Sequence, residues 1–168
     1  MKTFSQMSLE GLIRPEVHAC TGGRHHKAGL KCLRIGNGAV EALPEFLRGC
    51  GVNKPFIIMD QNTRQAAWHL VEPVLKGAGV PFTQYVFKAP HLEPDEHALG
   101  SLVMAFDPAC DGILAVGSGV LNDLAKVFAH AVRLPSLVVA TAPSMDGCDS
   151  DNASVIRSRG TISLSHAR

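Results

Sequence analysis

Short apolar runs alternate along this chain with longer segments in which apolar positions recur at helical spacing. The short runs predict five strands: Cys32–Ile35, Phe56–Met59, Gln84–Phe87, Ile113–Val116 and Ser136–Ala140. The longer segments predict four helices: Ala39–Arg48, Thr63–Lys76, Pro94–Phe106 and Val120–Val132. Alternation at this spacing is typical of an α/β fold with a Rossmann-like parallel sheet and helices on both faces.

The pattern changes towards both ends of the chain. Beyond Gly147, the segments Ala153–Ile156 and Thr161–Leu164 predict a β-hairpin, so we take residues 148–168 as a hairpin extension. Residues 1–30 carry no clear period and stay undefined. Two prolines also bear on the helices: Pro73 predicts a kink or break, and Pro94 suits the first turn of its helix.

Composition narrows the class of protein. The 168 residues are 46% hydrophobic and 18% charged, which indicates one globular domain with a core. A net charge of +1 and few aromatic residues argue against nucleic acid as a partner. No apolar run approaches the roughly 20 residues of a membrane span, so we expect no membrane association. The five cysteines form no CxxC pair, and no signal-peptide core is visible, which favours a cytoplasmic location.

The segment Gly117–Lys126 follows a buried strand and opens a helix. A glycine-rich turn before a helix start collects free backbone N–H groups and the positive end of the helix dipole, an arrangement that binds phosphate. Asn122 stands where a GxGxxG pattern has its third glycine, so the match is incomplete. The alternative is a tight turn whose Asp123 and Lys126 form a solvated pair on the helix face.

Asp60 ends the predicted strand Phe56–Met59. A carboxylate at such a strand end can accept hydrogen bonds from a ribose diol and repel a 2′-phosphate. It can equally serve as the N-cap of the next helix. The sequence leaves both roles open.

The segment Thr141–Gly147 follows the last predicted strand of the sheet. Thr141 and Ser144 carry hydroxyls that suit a nicotinamide amide or a ribose, and Asp146 suits substrate hydroxyls. The alternative is an ordinary Asp-Gly turn. The histidines predict no metal site, because neither the pair at 25 and 26 nor the pair at 91 and 97 has the i, i+4 spacing of helix ligands.

Together these motifs resemble a known group. Gly117–Lys126 followed by Thr141–Gly147 resembles the sn-glycerol-1-phosphate dehydrogenase family, within the superfamily of iron-containing alcohol dehydrogenases, glycerol dehydrogenases and dehydroquinate synthases. Ile35–Leu43 and Met59–Thr63 resemble the first strand–helix unit and the second strand end of that family. The resemblance covers residues 20–165.

The resemblance implies an NAD(P)-dependent oxidoreductase of phospholipid metabolism. Its small phosphorylated substrates would be dihydroxyacetone phosphate and sn-glycerol 1-phosphate, and the cofactor would be NAD or NADP. By position, Asp146 would bind substrate, and no residue here is assigned a catalytic role. The residues implied to bind the cofactor are Asp60, Gly117, Gly119, Val120, Leu121, Asn122, Asp123, Thr141, Ala142, Pro143, Ser144 and Ser150.

The chain departs from that family in length. Family members carry a divalent metal, zinc or similar, on one Asp and two His of a C-terminal helical domain. The resemblance therefore implies that residues 1–168 form the N-terminal NAD(P)-binding domain alone, lacking that helical domain and its metal ligands. We expect such a truncated half to be inactive alone, and either to self-associate through the face the missing domain covers or to be marginally stable. The alternatives are a non-catalytic nucleotide-binding or interaction module, and a fragment of a glycerol or other small-alcohol dehydrogenase.

Overall fold

The computed structural model describes residues 32–89, 91–117 and 119–142, with the backbone of four outlying strands. Those strands form two antiparallel pairs: β1 (His18–Ala19) with β2 (His25–His26), and β7 (Asn152–Arg157) with β8 (Gly160–Ser165). The pairing of β7 with β8 confirms the predicted hairpin.

The central sheet has four parallel strands. They are β3 (Pro55–Asp60), β4 (Thr83–Phe87), β5 (Gly112–Val116) and β6 (Ser136–Val139), in the spatial order β4-β3-β5-β6. Four of the five predicted strands and the parallel α/β architecture are confirmed. β3 and β5 read as unbroken apolar runs because they are central and buried on both faces.

Helices cover both faces of the sheet. A 3₁₀ turn, Ala39–Ala42, is followed directly by α1 (Leu43–Gly49). Helix α2 covers residues 61–77 and consists of α-helical Gln61–Thr63, π-helical Arg64–Trp68 and α-helical His69–Gly77. The remaining two helices are α3 (Glu96–Ala105) and α4 (Val120–Val132). The apolar sides of α1 and α2 pack on one face, and those of α3 and α4 on the other. Within the described segments, no helix is long and apolar enough to cross a membrane.

The side chains of β3 show how the two cores divide. Phe56 and Ile58 join the cluster under α3 and α4, whereas Ile57 and Met59 join the cluster under α1 and α2. Phe56 also meets the ring of Phe106 edge-on, with the ring centroids 5.4 Å apart. Alternation of side chains across a strand therefore builds one core on each side of the sheet.

Three predictions about elements were wrong. Residues 32–35 are irregular rather than a strand, and Ile35 is 66% exposed, because an apolar run forms a strand only where a neighbouring strand pairs with it. α3 begins at Glu96 instead of Pro94, since the Asp95 carboxylate accepts the Ala98 N–H at 2.8 Å and caps the helix. α2 continues through Pro73, and its departure from α-helical geometry lies earlier, in Arg64–Trp68.

The β7–β8 hairpin packs beside the main sheet. β7 lies against α4 and also touches α3. Val155, in the middle of β7, is only 3% exposed. The hairpin is therefore attached to the helices that cover one face of the sheet, including the helix that opens after β5.

Candidate cofactor-binding site

The order of the strands creates a switch point between β3 and β5. The chain passes from β3 to β4 on one side, and then returns to place β5 on the other side of β3. The helix that follows β3 covers one face of the sheet, and the helix that follows β5 covers the opposite face. In open α/β sheets the crevice at the carboxyl ends of two such strands is where ligands bind.

The strand register places the predicted residues at this crevice. Pro55 pairs with Gly112 and Ile58 with Ala115, after which β3 ends at Asp60 and β5 at Val116, so Asp60 and Gly117 lie at the same end of the sheet. The Gly117 N–H donates to the Val139 carbonyl of β6 at 2.9 Å, and Thr141, just beyond β6, is exposed. The fold thus brings the ends of three strands to one edge.

The turn after β5 needs glycine at two positions. Gly117 has φ +155°, and a Cβ there would lie 2.3 Å from Cδ1 of Leu121. Gly119 has φ 54° and ψ −113°, a conformation that side-chain-bearing residues rarely adopt. The backbone at the mouth of the crevice is consequently bare of side chains at these two positions.

α4 begins directly at this turn. The Gly119 carbonyl accepts the Asp123 N–H at 3.0 Å, and helix geometry leaves the N–H groups of Val120 and Leu121 without an intrahelical acceptor. Leu121 and Asn122 are only 1% and 3% exposed as whole residues, whereas Gly119 and Val120 are half-buried, so the accessible part of the helix start lies at these two positions. Such N–H groups and the helix dipole favour an anion here.

Asp60 is confirmed as the N-cap of α2. Its Oδ1 accepts the Thr63 N–H at 2.7 Å, and Thr63 Oγ1 accepts the Asp60 N–H at 3.1 Å, which makes a reciprocal capping box. No described residue donates to the second carboxylate oxygen, Oδ2. Capping therefore occupies one oxygen, and the ribose role stays compatible with the other.

Part of the predicted site falls outside the described residues. Pro143, Ser144, Asp146 and Ser150 belong to that part, whereas Thr141 and the half-buried Ala142 lie at the carboxyl edge. Among the described residues, no three His, Cys, Asp or Glu side chains lie close enough together to hold a metal ion. The described part of the chain therefore fits a cofactor phosphate at its helix start but offers no metal site.

Lys126 is not a solvated surface residue, which corrects one interpretation of the Gly117–Lys126 segment. It is only 8% exposed, and Asn122, one turn earlier, is 3% exposed. Both residues and Asp123 take part in polar interactions. Sequence reasoning missed this burial, although Asn122 and Lys126 stand four residues apart, as residues on one helix face do.

The opposite edge of the sheet holds a polar network that the sequence did not reveal. Lys54 Nζ lies 2.7 Å from Asp107 Oδ2, and the Thr83 hydroxyl donates to the same oxygen at 2.9 Å. The Ala109 N–H donates to the other oxygen at 2.9 Å. These hydrogen bonds, that from Lys54 above all, lower the pKa of Asp107 to about 2.

Asp111 ties the start of β3 to the start of β5 in the same region. Its carboxylate accepts the N–H groups of Asn53 and Lys54 at 2.9 and 2.8 Å. Burial alone would raise the pKa of Asp111, but the hydrogen bonds from the Lys54 and Asn53 N–H groups outweigh it and lower that pKa. The partners stand 57 and 58 positions apart in sequence, so no local spacing signals them.

Comparison with known proteins places the chain in a family. The family profile of iron-containing alcohol dehydrogenase matches residues 34–168. A glycerol-1-phosphate dehydrogenase [NAD(P)+] of Halalkalibacterium halodurans is 37% identical over 139 residues, 81% of this chain and 35% of that protein. One of Bacillus licheniformis is 29% identical over 152 residues, 88% of this chain and 38% of that protein. The chain thus spans little more than a third of the length of these relatives.

Solved structures share the fold. An archaeal halo-thermophilic alcohol dehydrogenase from a Red Sea brine pool superposes with a TM-score of 0.71 at 15% identity, over 84% of this chain and 43% of that one. The profile match covers most of the chain, and the resemblance inferred from the two motifs is confirmed. The chain therefore belongs to the iron-containing alcohol dehydrogenase family.

Proposed function

We propose that this chain binds NAD(P) at the carboxyl edge of β3 and β5, as the cofactor-binding part of an oxidoreductase that interconverts dihydroxyacetone phosphate and sn-glycerol 1-phosphate. The observation that carries the proposal is that Asp60 and Gly117 both lie at the carboxyl ends of β3 and β5, at the switch point and beside a helix that starts at a bare glycine turn. The names of the relatives support the choice of cofactor and substrate.

In this proposal the pyrophosphate lies at the start of α4. The N–H groups of the half-buried Gly119 and Val120 donate to its oxygens, and the glycines at 117 and 119 let it approach the backbone. No side chain at the two glycine positions competes for this space. The turn therefore presents backbone N–H groups to the anion, with no side chain at positions 117 and 119.

The two halves of the cofactor extend from that point. Asp60, at the end of β3, accepts a hydroxyl of the adenosine ribose through Oδ2, which favours NAD over NADP because a 2′-phosphate would be repelled. Thr141, at the end of β6, presents its hydroxyl to the nicotinamide half. Pro143, Ser144 and Ser150 complete the cofactor site, and Asp146 binds substrate.

The cofactor supplies hydride transfer, and this chain holds and orients it. We further propose that turnover needs metal ligands beyond those of these 168 residues, a proposal supported by the relatives, of which the chain covers 35% and 38%; within the described ranges no three ligating side chains lie together. Turnover of dihydroxyacetone phosphate by the 168-residue chain, lost on addition of a chelator, would contradict that part of the proposal.

Calorimetric titration of the purified chain with NADH tests the site. We expect saturable binding that is lost on Gly119→Val, because a branched side chain at φ 54° displaces the turn from the phosphate. Asp123→Ala should weaken binding by disturbing the first turn of α4. A matched control is Gly100→Ala, a glycine of α3 with open space around it. A folded chain that binds no NADH would refute the proposal.

A further inference from the structure

The side of α4 that carries Asn122 and Lys126 is unlike the rest of the helix. In the described part of the chain these are the buried polar or charged residues, at 3% and 8% exposure. The other buried residues of α4 are apolar and belong to the cluster that packs on the sheet: Leu121, Leu124, Ala125, Phe128 and Ala129. The polar pair, four residues apart, shares one face of the helix.

The neighbours of α4 indicate what covers this pair. The sheet and α3 meet the helix through the apolar cluster, in which Phe106 and Phe128 stack edge to face with centroids 5.3 Å apart. The remaining neighbour among the described elements is β7, whose Val155 is 3% exposed. Among the described elements the hairpin is therefore the one, besides the sheet and α3, that lies against α4.

The burial of Lys126 needs a reason beyond the helix itself. Side chains on a helix lean towards its N-terminus, so Lys126 covers the turn near Asn122. A lysine is rarely buried unless it is paired, and Lys126 does have polar partners. Helix stability does not account for a buried lysine at this position.

We propose that Lys126, with Asn122, is a positioning residue that fastens the β7–β8 hairpin over the first turns of α4 and thereby holds the glycine turn in its cofactor-binding form. This inference rests on the proposed function, because it assigns a support for the same site. Its consequence is that hairpin docking and cofactor affinity are coupled through one buried ammonium group.

Variants of Lys126 test this coupling. Lys126→Met keeps the length of the side chain but removes its charge. We expect about tenfold faster amide exchange in β7 and β8 and about tenfold weaker NADH binding, because a hydrogen bond from a charged group is lost. Exchange in β3 and β5 should stay unchanged, and Lys126→Arg should restore most of both effects. The matched control is Lys76→Met, which removes an exposed lysine paired with Glu72 at 2.8 Å.

The outcomes separate cleanly. Wild-type exchange in the hairpin of the Lys126→Met variant would overturn the inference, and so would faster exchange with unchanged NADH affinity. If the wild-type chain binds no NADH, the proposed function fails, and hairpin exchange alone still shows whether Lys126 fastens the hairpin.

A measurement on the wild-type chain guards against a variant that does not fold. Acylation of lysine amines, followed by mass spectrometry, should show Lys126 protected relative to Lys76. Lys126 should become reactive at the denaturant concentration where β7 and β8 begin to exchange, before β3 and β5 do. Reactivity that appears only with opening of β3 and β5 would overturn the inference.

Discussion

The two edges of the central sheet use polar groups in opposite ways. At the amino edge, Asp107 and Asp111 accept hydrogen bonds from protein donors with both carboxylate oxygens; the donors include Lys54, Asn53 and Thr83. At the carboxyl edge, Asp60 commits one oxygen to a capping box, and α4 begins with backbone N–H groups that the helix itself does not use. Within the described residues, polar groups at the first edge join elements, whereas Asp60 Oδ2 at the second accepts no hydrogen bond.

The contrast shows why residue type alone is a poor guide to function. Each edge has an aspartate next to a strand of the same sheet, and only the partners differ. A carboxylate whose oxygens are both taken by backbone and lysine donors has no capacity left for a ribose. Because substrates of open α/β sheets meet the carboxyl ends of strands, the edge with spare capacity is also the one where the fold creates a crevice.

The largest effect should come from adding one methyl group at the carboxyl edge. Gly117→Ala places a Cβ against Cδ1 of Leu121 at φ +155°, and we expect the free energy of unfolding to fall by about 3 kcal/mol. Gly100→Ala, in a helix with open space, should raise it by about 0.5–1 kcal/mol. Urea unfolding measures both. Equal stability of the two variants would show that the turn tolerates side chains.

The two roles of Asp60 can be separated by a pair of substitutions. Asp60→Asn keeps a good N-cap but removes the charge, so NADH affinity should fall about tenfold while stability stays close to wild type. Thr63→Ala removes the reciprocal half of the capping box and should lower stability by about 0.5–1 kcal/mol without changing NADH affinity. Calorimetry and urea unfolding give the two readouts. The same affinity for wild type and Asp60→Asn would leave Asp60 with the capping role alone.

At the amino edge we expect a dependence on pH instead of on ligand. The folded-state pKa of Asp107 is about 2, below its ordinary value of 3.8, so the folded chain holds this proton less readily than the unfolded chain. The resulting stabilisation is present above about pH 4 and is lost as pH falls towards about 2. Urea unfolding between these limits should show wild type and Asp107→Asn converging.

The control for this pH series is Glu93→Gln, which alters an exposed carboxylate. Its stability should track that of wild type throughout the series. A constant difference between wild type and Asp107→Asn from about pH 6 to about pH 2 would mean that the Lys54–Asp107 contact adds no stability through the ionised carboxylate.

The smallest effect should come from the far end of α4, which leads to the amino end of β6. Arg133 adopts the left-handed conformation at φ 58° and ends the helix, with the Leu134 N–H bonded to the Ala129 carbonyl at 2.9 Å. Arg133→Gly should raise the free energy of unfolding by about 0.5–1 kcal/mol, since glycine adopts this conformation without strain. Gly79→Ala, at φ 68° after α2, should do the reverse. Destabilisation by Arg133→Gly would reveal a contact of the arginine that outweighs its backbone strain.

The sequence by itself determined most of the helices and strands. Burial of one face leaves a regular spacing of apolar residues, and burial of both faces leaves an unbroken apolar run, and each can be recognised locally. β3, β5 and α4 were predicted within a residue or two of their bounds. The glycines at 117 and 119 were also identified from sequence, because a turn with unusual backbone angles restricts residue type. Asp60 was reduced to two candidate roles.

Tertiary structure decided what depends on distant partners. The order of strands brought Asp60 and Gly117 to the same end of the sheet, and it joined Lys54 to Asp107 across 53 positions of sequence. It left residues 32–35 outside the sheet, and it buried Lys126, which one interpretation of the sequence placed in a solvated pair with Asp123. The spacing of apolar residues shows which face of a helix or strand is buried. It does not show which other element packs on that face, because that depends on residues distant in sequence.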